Sequence, residues 1–180
     1  MKFSIIIPFY NKWELTHQCL FDLYRYVTKT DVEVILVDDA STEPEIESAI
    51  GWWQKTLQGG HVIRYLKHSE NKGFGSSMND GCKLATGDVV VLLSNDVRVY
   101  YDFTVDVGNV LSENHRTLIG GEFLNRPTGW NEFEIGGKKG FVPYVNGWFL
   151  SCLKSSWDEI GGFDPIYNKF DFEDVDLSAT

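Results

Sequence analysis

The stretch that most restricts how this chain can fold is Asp88 to Val97, DVVVLLSNDV. The apolar run inside it, Val89 to Leu93, is too short for a helix and rich in β-branched side chains. Gly87-Asp88 bounds it on one side and Ser94-Asn95-Asp96 on the other. Such a run reads as a strand covered on both faces, as in a mostly parallel sheet. Open parallel sheets take ligands just beyond the carboxyl ends of their strands. Asp96 falls at that place. A carboxylate there either holds a divalent cation, which in turn holds a diphosphate, or simply caps the next turn.

The rest of the chain supports an α/β reading. Phe3 to Ile7 forms a first strand ended by Pro8, and Asn11 with Glu14 has the spacing of a capping box. Leu15, Cys19, Leu23 and Val27 then recur at helical spacing, predicting a helix from about Lys12 to Thr28. Val32 to Val37 is a second strand, and a helix carrying Ile46, Ile50, Trp53 and Leu57 follows it. Val62 to Leu66 is a third strand. Asn71 to Ser77 then opens a helix with Met78, Cys82 and Ala85 on its apolar face. Alternating strand and helix imply right-handed crossovers and a parallel sheet. Beyond Asp96 the pattern predicts a helix over 101–114 and a strand over 118–124 interrupted by Gly120-Gly121. A long loop or small hairpin is expected over 125–143, then a strand over 144–153 and a short helix over 155–160.

At 180 residues the chain has room for one domain with a full core. The formal net charge of -10 argues against nucleic acid as a partner, because a phosphate backbone calls for a basic face. Three widely spaced cysteines, Cys19, Cys82 and Cys152, fit neither a zinc pattern nor a disulfide framework. They read as reduced core thiols, which places the protein in the cytoplasm. No apolar stretch nears the roughly 20 residues of a membrane span.

Acidic or polar clusters close three of these elements: Asp38-Asp39, Asn95-Asp96 and Glu173-Asp174. Each alone is as often a loop cap as a site. Their order is more specific, with Ile5-Ile6-Ile7-Pro8-Phe9-Tyr10-Asn11 before them and Asn71 to Gly81 between. Together with Gly87 to Asp96, and Gly161-Gly162-Phe163-Asp164 through Leu177, these stretches resemble a family 2 glycosyltransferase with the GT-A fold. They cover nearly the whole chain.

The resemblance implies a role for each position. Pro8, Tyr10 and Asn11 lie where the first strand leaves the sheet and cups the nucleotide base. Asp39 resembles the acid that accepts a hydrogen bond from N3-H of uracil or thymine, a task suited to an acceptor-only carboxylate. Asp38 either braces the turn or touches ribose. Lys72 and Gly73 precede a helix start, where free N–H groups favour anions, and the family places nucleoside contacts there. Asn79 and Gly81 match the same pattern, with helix packing as the alternative. Asn95-Asp96 stands at the family's metal motif, and Asp96 is its one acid, enough for Mn2+ or Mg2+ when the donor's phosphates and water complete the shell. This variant is similar to those of rhamnosyltransferase-like members, which implies a UDP- or dTDP-sugar donor. Glu173-Asp174 matches the acceptor-side motif, with Asp174 as general base and Glu173 the second candidate.

The implied activity is metal-dependent, inverting transfer of a sugar from a nucleotide-diphosphate donor to the hydroxyl of a glycan or similar acceptor. The alternative is a GT-A domain that binds nucleotide sugar without turnover. Peripheral membrane contact is common in the family, although no basic amphipathic helix supports it here. The stop at Thr180, where relatives often continue, implies one GT-A domain that is truncated or part of a longer chain. Trp130, Phe133, Tyr144 and Trp148 are candidates for sugar stacking, with core packing favoured for Trp148. A nucleotidyltransferase would need a Gly-rich basic loop after the first strand, and a receiver-like module paired acids there. Pro8 to Asn11 offers neither.

Overall fold

The computed structural model describes residues 1–56, 61–124, 132–134, 146–167, 174 and 177. Its strands are β1 (Phe3–Phe9), β2 (Val32–Asp38), β3 (Val62–Lys67), β4 (Val89–Leu93), β5 (Ile119–Leu124), β6 (Glu132–Glu134) and β7 (Asn146–Leu153). The helices are α1 (Trp13–Tyr26), α2 (Ile46–Thr56), α3 (Phe74–Leu84), α4 (Thr104–Glu113) and α5 (Lys154–Ile160). The expected strand at 89–93 is present with those bounds.

All strands join one sheet in the order β3-β2-β1-β4-β7-β5-β6. The first four run parallel, and β7 then pairs antiparallel with both β4 and β5. The parallel character read from the sequence thus belongs to β1–β4, because a buried apolar run does not disclose the direction of its neighbour. Gly120-Gly121 marks a register shift between β5 and β7. β5 and β6 pair antiparallel, so the described part of the 125–143 region includes a hairpin strand.

Successive residues of a strand face opposite sides, and both sides here are covered. Ile5, Ile7, Leu36, Val91 and Leu93 pack with Leu20, Leu23, Ile50, Trp53 and Val107 on the side of α1, α2 and α4. Ile6, Ile35, Val37, Val90 and Leu92 pack with Met78, Cys82, Cys152 and Trp157 on the side of α3 and α5. This two-sided burial explains why β4 is apolar throughout. Gly81 lets α3 approach the sheet: a Cβ there would run into Ile6 Cγ2 and come within 3.0 Å of Val37 Cγ2. Gly81 is therefore a packing residue. All three cysteines are free and buried, and burial pushes the Cys152 thiol up to about 12.

The start of α1 differs from the capping box expected. Asn11 and Lys12 both have positive φ, 54° and 52°, so the chain has not yet entered the helix there. The first N–H groups are taken up instead by Glu43, from the β2–α2 connection. Its Oε1 accepts from Lys12 at 2.8 Å and its Oε2 from Trp13 at 3.1 Å. The buried stripe shifts accordingly to Trp13, Thr16, Cys19, Leu20 and Leu23, leaving Leu15 42% exposed.

Among the described residues, no helix is long and apolar enough to cross a membrane.

Candidate active site

The strand order 3-2-1-4 reverses direction of growth between β1 and β4, and ligand crevices in α/β sheets open at such switch points. Three loops leave the sheet there: the one after β1 with Tyr10 and Asn11, the one after β2 with Asp39, and the one after β4 with Asp96.

The first two loops are fastened to each other. Pro8 lies buried opposite Val37, and Phe9 opposite Asp38, so both chains leave the sheet at one level. Asn11 N–H donates to Ser41 Oγ at 2.7 Å, Thr42 N–H donates to Asn11 Oδ1 at 2.8 Å, and Asp39 N–H donates to the Phe9 carbonyl at 2.8 Å. Asn11, Lys12 and Ala40 all occupy the left-handed region, at a cost of roughly 1–2 kcal/mol for a residue with a Cβ. The cross-loop bonds hold them there. Asn11 is thus committed to shaping the turn. Tyr10, 51% exposed, reaches solvent from this turn, as Lys12 does.

Asp38 and Asp39 divide their work by direction. Asp38 is fully buried: Oδ1 accepts from Ser41 N–H and Oδ2 from the Tyr65 hydroxyl, each at 2.7 Å. Of the two roles left open for Asp38, bracing the turn is the one seen. Burial, reinforced by the bond to Asp38, pushes the Tyr65 phenol well above its ordinary range. Asp39 turns toward α3. Its Oδ1 accepts from Lys72 N–H at 2.8 Å and faces His68 Nδ1 at 2.8 Å, and its Oδ2 accepts from Gly73 N–H at 2.9 Å. The Lys72 and Gly73 N–H groups, expected to be free for an anion, are therefore engaged by a carboxylate of the protein itself. The positive φ of Gly73, 87°, accompanies that inward turn of the backbone. Lys72 Nζ pairs with Asp80 Oδ2 at 3.1 Å, and Lys83 Nζ with Asp80 Oδ1 at 2.8 Å. Burial pushes the Asp80 carboxyl up, but these two lysines outweigh it and hold it below the usual carboxylate range.

The loop after β4 is pinned on both sides of Asp96. Asn95 Nδ2 donates to Thr16 Oγ1 of α1 at 3.0 Å, and the Arg98 guanidinium pairs with buried Asp22 of α1 at 2.5 Å. Asn95 is thereby turned toward α1, which leaves Asp96 as the outward-facing group of the pair. Asp96 is exposed, with Oδ1 accepting from Ser94 Oγ at 2.6 Å and Oδ2 without a partner among the described residues. No cluster of three or more metal-ligating side chains occurs among the described residues. A lone carboxylate with a free oxygen beyond the carboxyl end of a parallel strand suits a hard cation such as Mg2+ or Mn2+, whose remaining positions go to phosphate and water.

Gly147, at the start of β7, gathers the remaining parts. Its N–H donates to Asp174 Oδ2 at 2.8 Å, and a Cβ on it would stand 3.7 Å from Phe74, the first residue of α3. The next residue, Trp148, accepts at its carbonyl from Ser94 N–H at 2.9 Å. The acids expected to converge are thus linked through short paths: Asp39 to Gly73 and Phe74, Phe74 to Gly147 and Asp174, and Trp148 to the Ser94–Asp96 turn. Glu173 lies outside the described residues, as do Trp130, Tyr144 and the side chain of Phe133. Trp148 is half-buried and packs against the core cluster beside Phe149, the role favoured for it.

Four participants escaped the sequence reading. Ser41 and Glu43 act only through contacts with a loop thirty residues earlier, and Gly147 donates through its backbone. Asp80 pairs with Lys83 at i, i+3, a spacing visible in sequence, but its approach to His68 depends on β3 and α3 meeting.

A parallel four-stranded half with acids after β2 and β4, joined to an antiparallel half whose Gly147 holds a further carboxylate, is the arrangement of the GT-A class of α/β proteins. Solved structures share this fold. The mannosyltransferase PcManGT from Pyrobaculum calidifontis, in complex with GDP-Man and Mn2+, superimposes with a TM-score of 0.76 at 21% identity, over 97% of this chain and 50% of that one. TarS 1-349 of S. aureus in complex with UDP gives a TM-score of 0.75 at 21% identity, over 99% and 54%. The model for the family "Glycosyl transferase family 2" matches residues 4–159, and the chain belongs to that family. Among curated relatives, the poly(ribitol-phosphate) beta-glucosyltransferase of Bacillus spizizenii is 34% identical over 97 residues, 53% of this chain. This stretch spans only 15% of that protein's length.

Proposed function

We propose that this domain transfers a sugar, with inversion, from a UDP- or dTDP-linked donor to a hydroxyl of a glycan-like acceptor. The observation that carries the reading is the junction at Gly147, which sets Asp174 beside the start of α3 and one residue from the strand contact that holds the Asp96 turn. Tyr10 and Asp39 border the base side of the crevice, Asp96 the phosphate side and Asp174 the acceptor side. The relative from Bacillus spizizenii is named for poly(ribitol-phosphate), which supports a polyhydroxyl acceptor.

The chemistry divides among these groups. Tyr10 offers an exposed aromatic face for a base, and the remaining acceptor position of Asp39 takes its imide N–H. Asp96 would hold Mn2+ or Mg2+, whose contribution when bound is to take up charge on the departing diphosphate. PcManGT is a GT-A neighbour solved with Mn2+. Asp174, oriented by Gly147 N–H, accepts the proton of the acceptor hydroxyl as that oxygen bonds to the anomeric carbon. An ordinary carboxylate suffices, because the hydroxyl becomes acidic only as the new bond forms.

The test is sugar transfer or donor hydrolysis in the presence of manganese, compared for the native protein and Asp174→Asn. The substitution is expected to lower turnover by about 10²–10⁴-fold while leaving nucleotide affinity unchanged. Equal diphosphate release by both proteins would remove Asp174 as the base. Nucleotide binding with no turnover by either would favour the degenerate alternative.

A further inference from the structure

His68 is a buried residue of this region that the proposed chemistry does not use. It sits at the end of β3, only 6% exposed, wedged between two carboxylates from different elements. Nδ1 is 2.8 Å from Asp39 Oδ1, after β2, and Nε2 is 3.3 Å from Asp80 Oδ2, on α3. An ionised carboxylate only accepts, so Nδ1 must carry the proton it shares with Asp39. His68 N–H in turn donates to the Asp38 carbonyl at 2.9 Å, which fixes the ring's backbone against the same turn.

The acceptor capacity of Asp39 can then be counted. A carboxylate has roughly four lone-pair positions, two on each oxygen. On Oδ1 both are filled, one by His68 Nδ1 and one by Lys72 N–H. On Oδ2 one is filled by Gly73 N–H, and one remains among the described residues. The residue keeps only 4% of its surface exposed, so a ligand meets a single acceptor on one oxygen. Uracil and thymine present one N–H between two carbonyls, which that acceptor satisfies. Guanine presents two adjacent donors, N1–H and the 2-amino group, which pair with a carboxylate only when both oxygens accept.

We infer that His68 is a specificity-determining residue: by occupying Oδ1 of Asp39 it restricts the site to bases with a single imide donor and turns away guanine. The inference rests on the reading that Asp39 meets the base. Asp80, with Lys72 and Lys83 on its own oxygens, lies on the far side of the ring, its Oδ2 3.3 Å from Nε2.

The experiment measures UDP and GDP affinity by calorimetry for the native chain, His68→Leu and His68→Asn, with thermal midpoints recorded alongside. The native protein should favour UDP. His68→Leu removes the donor and should raise GDP affinity relative to UDP at least about tenfold, the effect of one added hydrogen bond to a charged group. His68→Asn keeps an N–H donor and should keep the native ratio. His68→Met, also without a donor, replaces Leu where Leu does not fold. A ratio unchanged in a folded donor-less variant overturns the role of His68 alone. A native preference for GDP overturns the placement of the base on Asp39 itself.

Discussion

Asn79 and Phe163 exchange two hydrogen bonds. Asn79 Oδ1 accepts from Phe163 N–H at 3.0 Å, and Asn79 Nδ2 donates to the Phe163 carbonyl at 2.8 Å. A side-chain amide here imitates a strand partner and joins α3 to the segment that leads toward Asp174. The neighbour, Gly162, has φ of 80°, and a Cβ on it would stand 2.5 Å from Asn79 Oδ1. Of the two roles open to Asn79, the packing one is present.

Asn79→Ala therefore leaves a backbone N–H and a carbonyl without partners. The expected loss is about 1–3 kcal/mol, read from the denaturant midpoint. Turnover should fall more than donor affinity, because the tail is what comes loose. Loss of donor affinity alone would contradict this.

Gly81→Ala places a methyl group against Ile6 Cγ2 and forces α3 away from β1. Overpacking of this kind costs typically about 1–3 kcal/mol. The midpoint in urea should drop at constant slope, and Gly51→Ala, on α2 with open space around it, should show no such loss.

Asp96→Asn removes the exposed charge after β4 while keeping the bond to Ser94 possible. Donor turnover should lose its dependence on added manganese and fall by about 10²-fold or more, the scale of a lost stabilising group at developing charge. Nucleoside binding without phosphate should be unaffected. An unchanged response to manganese would move the cation elsewhere.

Glu33 contributes to the acid limb of stability. Burial pushes its carboxyl up, yet bonds from the Ser4 hydroxyl and from the Thr86 N–H and hydroxyl prevail and hold it below the usual range. With the folded value depressed, its stabilisation is present above the unfolded pKa of about 4.3 and disappears as pH falls through the folded value. Glu33→Gln should cost about 1–3 kcal/mol at neutral pH and flatten the loss of stability below pH ~4.3. Parallel pH profiles for the two proteins would rule Glu33 out as the titrating group.

Much of the fold was legible because burial leaves local marks. Val89–Leu93 could be bounded to the residue, since apolar content and flanking Gly and Asp agree. Asp38, Asp39 and Asp96 could be picked out because acids at strand ends are chemically conspicuous, and Asp174 because Glu173-Asp174 resembles the family's acceptor-side motif. What local pattern does not carry is partnership at a distance. Glu43 rather than Asn11 completes the first turn of α1, Asp39 rather than an anion receives the Lys72 and Gly73 N–H groups, and His68 links β2 to α3. Each arises only when separate elements meet in space. The antiparallel course of β7 was equally hidden, because alternation and burial are indifferent to chain direction.

The change of strand direction at β4 also sorts the molecule by inheritance. Loops from the parallel half carry the groups proposed to meet the nucleotide, whereas β7 of the antiparallel half holds Asp174 through Gly147. Chimeras spliced just after Asp96 should exchange one preference and preserve the other, provided the Ser94–Trp148 seam is retained. A hybrid that switched nucleotide along with its grafted half would show that recognition is shared across the seam.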